Sequence, residues 1–334
     1  MLIWIFSLVY YILSTMTLQE IYDLAIQMAI DADPRGRKRV EELLKRRKKE
    51  SSELPEKKKK YFDQETLTNP YSDTRILYGD HKTQIKKILV GIDPDATEIL
   101  LVDRLNQKGE KIDALVGHHP VGISLAALHD VMDIQVDSYA KVGVPVNIMD
   151  ALMRERMDDV KRRIHPNNHN QIIDTARLLN IPLMNLHTVW DNVGDKFMES
   201  YLRKKEFETV DEIIDYLMEL PEYQEAARGK NAPEIVSGGP KSRVGKVAIF
   251  FTGGTNPSKE AYAELARAGV GTIIDMHIPE DGLKEAKKMH MNVINAGHMA
   301  SDSIGANLFL DEIEKKGIEI IPGSGLIRVR RNKK

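Results

Sequence analysis

Apolar residues recur along this chain in two rhythms. Short continuous runs, such as Lys87-Ile-Leu-Val-Gly-Ile92, have the length of strands buried on both faces. Between such runs the apolar residues fall at helical spacing. Ile99, Val102 and Leu105 lie so within 95–108, and the pattern stops at Gly109, a natural helix end. Ile112-Asp-Ala-Leu-Val116 follows as a second strand. Strand, helix and strand within about 30 residues form a βαβ unit, which requires parallel strands with helices over their faces. The alternation predicts a helix near 121–140, a strand at 144–148, helices at 150–163 and 168–179, and a strand at 181–186. A second series starts with a strand at 247–251. It predicts helices at 258–268, 280–289 and 301–316 and strands at 271–274, 292–295 and 318–321. The fold class is therefore α/β: two similar α/β halves with mostly parallel sheets.

The boundaries follow from the same pattern. Residues 1–15 are an apolar N-terminal extension, shorter than the ~17–25 residues of a membrane-spanning helix and without the basic start of a signal peptide. Met16 comes next, and Thr17-Leu-Gln-Glu20 is a capping box opening a helix with Ile21, Leu24, Ala25 and Met28 on one face. We read 1–15 as a product of an upstream start codon; a membrane-surface anchor and an oligomer contact are the competing readings. Residues 16–84 form a helical and basic segment, 85–220 the first α/β half, 221–246 a Pro-, Gly- and polar-rich linker, and 247–334 the second half. Thr209-Val-Asp-Glu212 opens one more helix ahead of the linker.

Composition narrows the chemistry. The length of 334 residues fits about two domains, and 42% hydrophobic with 29% charged residues is ordinary globular usage. With no cysteine, thiolate catalysis, disulfides and iron–sulfur clusters are excluded, so a metal must sit on His, Asp or Glu. That composition fits a reducing, cytoplasmic setting. A net charge of −2 argues against a protein basic all over for nucleic acid. Within it, residues 35–60 carry 13 Lys/Arg against 5 Asp/Glu, which is +8 and leaves −10 elsewhere. Val40, Leu43 and Leu44 give this stretch a thin apolar seam, Pro55 interrupts it, and aromatics appear only at Tyr61 and Phe62. It reads as a solvated helix. Gly253-Gly254 and Pro322-Gly-Ser-Gly325 lack the spacing of phosphate-binding loops and read as tight turns.

Histidines at predicted strand ends carry the functional signal. His118-His119-Pro120 lies just past strand 112–116, where open parallel sheets bind ligands. Gly117 and Pro120 permit the turn that would let both imidazoles converge. His187 and Asp191 follow strand 181–186, and His298 and Asp302 follow strand 292–295, each pair four residues apart. Any one cluster is unremarkable, since a lone His at a strand end is usually hydrogen-bonded structure. Repetition at one topological place points to a metal site, with ligation that suits Zn, Mn, Fe, Co or Ni. His129, His169 and His277 read as structural histidines.

Together, DALVGHHP at 113–120, HTVWD at 187–191 and GHMASD at 297–302 resemble the three motifs of the Nif-three-like dinuclear-metal proteins, often labelled GTP cyclohydrolase I type 2 homologues. The resemblance runs from about Thr17 to the C-terminus, with the motifs in order. It implies two divalent ions per chain, held between the halves at the strand carboxyl ends by His118, His119, Asp191, His298 and Asp302. The family usually has Glu at the last position, one methylene longer than Asp302. His187 would orient Asp191, and His187 or His277 would act as acid or base beside the metals.

Two functional readings follow from the resemblance. One is a metal-dependent hydrolase, GTP cyclohydrolase-like or acting on phosphoesters and nucleotides, although the chain has no P-loop. The other is a non-catalytic metal chaperone or regulatory interaction protein. The resemblance also implies a homo-oligomer, commonly a hexamer; a small-molecule or nucleotide substrate is expected, and the charge balance and short apolar run argue against a nucleic-acid or membrane partner.

Overall fold

The computed structural model describes residues 15–331; the N-terminal extension, apart from Thr15, lies outside them. Strands are β1 (Met16–Thr17), β2 (Thr74–Tyr78), β3 (Gln84–Ile85), β4 (Lys87–Gly91), β5 (Ala114–Gly117) and β6 (Leu183–Leu186), then β7 (Glu234–Ser237), β8 (Lys246–Phe250), β9 (Val270–Asp275), β10 (Asn292–Asn295) and β11 (Glu319–Pro322). The first helices are α1 (Leu18–Ala32), α2 (Arg37–Ser52), α3 (Glu56–Lys59), α4 (Ala96–Gln107), α5 (Gly122–Ala126), α6 (Ile134–Lys141), α7 (Val146–Ile164) and α8 (Gln171–Leu179). The rest are α9 (His187–Leu202), α10 (Val210–Leu217), α11 (Pro221–Arg228), α12 (Glu260–Arg267), α13 (Glu280–Lys288) and α14 (His298–Lys315).

Two mostly parallel sheets form the frame. The first has the order β11-β4-β5-β6-β2 and the second β7-β10-β9-β8. β4, β5, β6 and β11 run parallel, as do β8, β9 and β10, whereas β2 and β7 are antiparallel edges. The α/β class is thus seen, and each sheet repeats the other's plan. β11, late in the chain, returns to pair with β4 of the first sheet.

Local chemistry explains most boundaries. The Thr17–Glu20 capping box is made: Thr17 Oγ1 accepts from Glu20 N at 3.1 Å, and Thr17 N donates to Glu20 at 2.7 Å. α2 buries only Val40, so the basic stretch is a solvated helix as its polarity predicts. Among the described residues no helix is long and apolar enough to cross a membrane.

The expected strand at 144–148 is instead the start of α7. Pro145 sits at the N-cap, where its fixed φ favours entry into a helix. The expected helix at 121–140 is broken into α5, a 3-10 turn over Leu128–Asp133, and α6. Thr209 does not cap α10; its hydroxyl bonds Asp211, while Glu212 reaches the backbone N–H of Glu208. Residues 221–246 carry α11 and β7, and β7 pairs with β10. α14 starts three residues earlier than expected, at His298 itself, after Gly297 at φ +98°.

Helices α9 and α14 tie the two sheets together. Val189 and Trp190 of α9 pack in the core around β4, β5 and β6, whereas Met198 and Leu202 pack in the core around β9 and β10. α14 does the reverse: Ala300 and Ile304 pack with the second sheet, Phe309 and Ile313 with the first. The helices cross at glycines. A Cβ on Gly305 would lie 2.1 Å from the carbonyl oxygen of Trp190, and one on Gly194 would lie 3.4 Å from Gly305 N. Gly305→Ala is therefore expected to destabilise the protein by roughly 1–3 kcal/mol, despite the ~1 kcal/mol that alanine adds to an open helix. Urea denaturation checks this; a variant as stable as the parent would mean that the crossing can widen freely.

Candidate metal centre

The site is assembled by strand ends. β5 ends at Gly117, where a Cβ would lie 2.2 Å from Pro94 Cγ, so only glycine lets the chain pass this close to the β4–α4 turn. The backbone then turns, with His118 N donating to Gly91 O at 3.0 Å and His119 N to Ile92 O at 2.8 Å. That turn lets the adjacent imidazoles face one point. α9 and α14 begin directly past β6 and β10, so His187 and His298 are first helical residues, with Asp191 and Asp302 one turn further on.

The hydrogen bonds fix the tautomers. His118 Nδ1 lies 3.1 Å from Leu186 O, and a carbonyl only accepts, so Nδ1 carries the proton. His119 Nδ1 donates to Asp93 at 2.6 Å and His187 Nδ1 to Asp73 at 2.7 Å. All three Nε2 atoms are thereby turned inward, where each could bind metal once it carries no proton.

What they meet there is more negative charge. His118 Nε2 lies 3.2 Å from Asp191 Oδ1 and 3.5 Å from Asp302 Oδ1. Asp302 Oδ2 is 3.5 Å from His119 Nε2 and 3.4 Å from His298 Nε2, and these two nitrogens are 3.2 Å apart. His118 Nε2 and both Asp302 oxygens are buried without a hydrogen-bond partner. Buried orphans of this kind cost free energy unless a cation or proton joins them. Three sets bring their ligand atoms within 4.8 Å of one another: His118 with His119 and His187, His119 with His298 and Asp302, and His118 with Asp191 and Asp302. These buried His and Asp groups can hold metal ions.

The electrostatics agree with that picture. Burial works against charge on His118, but Asp302 and Asp191 outweigh it and push its pKa well above the ordinary value. Burial would raise Asp302; His118, His119 and His298 instead hold it well below the usual carboxylate range. Burial lowers His298 to about 4 and also lowers His277, so both are neutral near pH 7.

All five residues expected as ligands meet here, and His187 joins them: its ring centroid is 4.9 Å from that of His118, and its Nε2 is 3.9 Å from Asp191. His277 stands outside the three sets, with its ring edge-on to His298 at 4.6 Å. His129 pairs with its neighbour Asp130 at 3.2 Å, and His169 lies in the turn before α8. Sequence reasoning missed Asp73, Asp93 and Trp190. Asp93 follows strand 87–92 directly, a position that could have been noticed. Trp190 lies almost parallel to His118, 9° between ring planes at 5.4 Å.

The chain is similar to proteins of known structure. It is 25% identical to the NIF3 superfamily protein from Sphaerobacter thermophilus, over 94% of this chain and all of that one, with a TM-score of 0.73. Its fold is that of the NIF3 superfamily. Reduced HcgD from Methanocaldococcus jannaschii aligns over 79% of this chain and 93% of its own at 15% identity and a TM-score of 0.49. The Bacillus cereus protein related to NIF3 aligns over 96% and 99% at 9% identity and a TM-score of 0.44. No family model and no curated protein sequence matches the chain. In this NIF3-fold chain Asp302, though short, reaches within 3.5 Å of His118, His119 and His298 alike.

Asp73 offers a test of how the site is braced. Its fully buried carboxylate accepts from His187 Nδ1 and from Thr188 Oγ1, each at 2.7 Å. Asp73→Ala strands both donors and is expected to cost about 1–3 kcal/mol, with a smaller loss for Asp73→Asn, which keeps an acceptor. Urea denaturation of metal-free protein measures both. Equal stability of the alanine variant and the parent would show that Asp73 braces nothing.

Proposed function

We propose that this protein is a divalent-metal protein with a dinuclear centre that hydrolyses a small molecule. The observation that carries the reading is the trio of buried, unpartnered atoms, His118 Nε2 and both Asp302 oxygens, facing Asp191, His119 and His298. One ion would be held by His118, Asp191 and Asp302, the other by His119, His298 and Asp302. A mixed imidazole–carboxylate set of this kind suits Zn, Fe, Mn, Co or Ni. Two such ions lower the pKa of bound water and stabilise a developing oxyanion.

The remaining steps fall to the chain. His187 is the acid–base group of this reading: Asp73 holds its Nδ1 proton, leaving Nε2 free to take a proton beside Asp191 and return it to a leaving group. His277, neutral and beside His298, serves on the open side of the site. A cytoplasmic homo-oligomer, taken as a hexamer, belongs to the same proposal; light scattering on the purified protein tests the assembly.

Elemental analysis of metal-replenished protein is expected to give close to two divalent ions per chain. His118→Ala and Asp191→Ala should each lose metal while keeping the fold by circular dichroism. Asp302→Ala should weaken both sites, because its two oxygens face different histidines. Metal-free protein, or unchanged metal content in all three variants, would sink the centre. Turnover that needs added metal and falls ~10²-fold or more in His187→Ala marks the hydrolase. Full metal occupancy with no turnover on ester, amide or phosphoester substrates would favour metal storage or delivery instead.

A further inference from the structure

We propose that the cleft opening from this centre takes an uncharged planar ring, of the cyclic amide class, and not a nucleoside polyphosphate. The inference rests on the metal reading above and adds the chemistry of the ligand. The cleft touches His187, Asp191, His298 and Asp302 on one side. Its other walls are Phe250, Thr252, Thr255, Asn256, Asp275 and His277.

Three features define what fits. The first is charge. Among the described residues no Lys or Arg lines the cleft. Arg156 sits at the cleft residue Asn256 with its donors engaged, Nε donating to Asn256 O at 3.1 Å and Nη1 to Asp159 at 2.6 Å. Burial pushes Asp275 up to about 8, so this wall is uncharged at neutral pH. An anionic group could be met only by the centre itself, and a second or third phosphate would face neutral walls and lose its hydration without a partner.

The second feature is shape. Phe250 is stacked on buried Tyr139, 4.3 Å between centroids and 24° between planes, so the ring is braced from behind and is a fixed apolar surface. The enclosed part of the cleft is small, about 70 Å³, so a ring would project through its open mouth. The third feature is a rigid polar rim. Gln135 Nε2 donates to Gly253 O at 2.7 Å and Thr255 O at 2.5 Å, and Asn256 Nδ2 donates to His277 O at 2.9 Å. A Cβ on Gly253 would fall 2.4 Å from Gln135 Cγ, so the loop is pinned against α6. Neutral hydrogen-bonding groups beside a braced aromatic ring suit planar N–H and C=O edges.

Calorimetric titration with uracil, UTP and inorganic triphosphate tests this, on protein of known metal content and on metal-free protein. Uracil is expected to bind both forms, and Phe250→Ala to weaken it about tenfold. UTP should bind the loaded protein no tighter than triphosphate and should be unmoved by Phe250→Ala. Thr255→Lys, which leaves the Phe250–Tyr139 stack alone, should raise triphosphate affinity about fivefold or more. Uracil that fails to bind, or UTP that binds more than tenfold tighter than both uracil and triphosphate, overturns the proposal. Elemental analysis that finds no metal defeats the metal reading separately, since the uracil arm is read on metal-free protein as well.

Discussion

Everything at this site depends on how closely α9 can approach α14. The two helices start at the ends of strands in different sheets, and each buries apolar residues in both cores. They deliver carboxylates to one point only because the Trp190 carbonyl sits where a Gly305 side chain would be. Asp191 is the residue after Trp190, and Asp302 lies one turn before Gly305. A wider crossing would part these two carboxylates, and the core would lose its fit along both helices at once. Close packing of backbone on backbone is thus what gives the polar cluster its geometry.

That geometry is costly without a cation. Two carboxylates and a set of inward-facing lone pairs lie in a region where His118 and Asp302 are almost wholly enclosed. The same pair is shifted in opposite directions, His118 upward and Asp302 downward, because each stabilises the charged form of the other. A proton held between them offsets part of the cost in metal-free protein. It sits where a divalent ion would satisfy more acceptors at once. The braces agree: Leu186 O, Asp93 and Asp73 each occupy an Nδ1–H, so none of His118, His119 and His187 can turn its Nε2 outward without losing a hydrogen bond.

The strand ends were legible in the sequence because buried parallel strands are continuous apolar runs, and a histidine directly after one is easy to see. The βαβ order, the three histidine clusters and the capping box at Thr17 all follow from local pattern. What local pattern does not carry is the partner across the chain. Asp73 meets His187 through β2, an antiparallel edge strand whose half-buried TRILY lacks a clean alternation. The Gly194–Gly305 crossing leaves no periodic trace, since a helical glycine reads as a weak helix position until its neighbour is known. Val144 and its neighbours are β-branched and apolar like a strand, yet Pro145 and burial against α6 make them a helix start. Tertiary packing decided that case over propensity.

The two halves repeat one device and then put it to different uses. Each supplies a strand, a histidine at the first helical position and an aspartate four residues on. In the first half the histidine is enclosed, locked by Asp73 and 3.9 Å from its aspartate. In the second, His298 is 37% exposed at its side chain, unbraced at Nδ1 by any protein hydrogen bond among the described residues, and beside the neutral cleft. A symmetric pair of sites would have two equivalent faces and no preferred direction of approach. This pair has the enclosed, braced His187 on one side and the part-exposed His298 on the other, beside a cleft that no Lys or Arg lines among the described residues. In the proposed reading, ligand would enter where the imidazole is free to adjust, and proton transfer would belong where it is not.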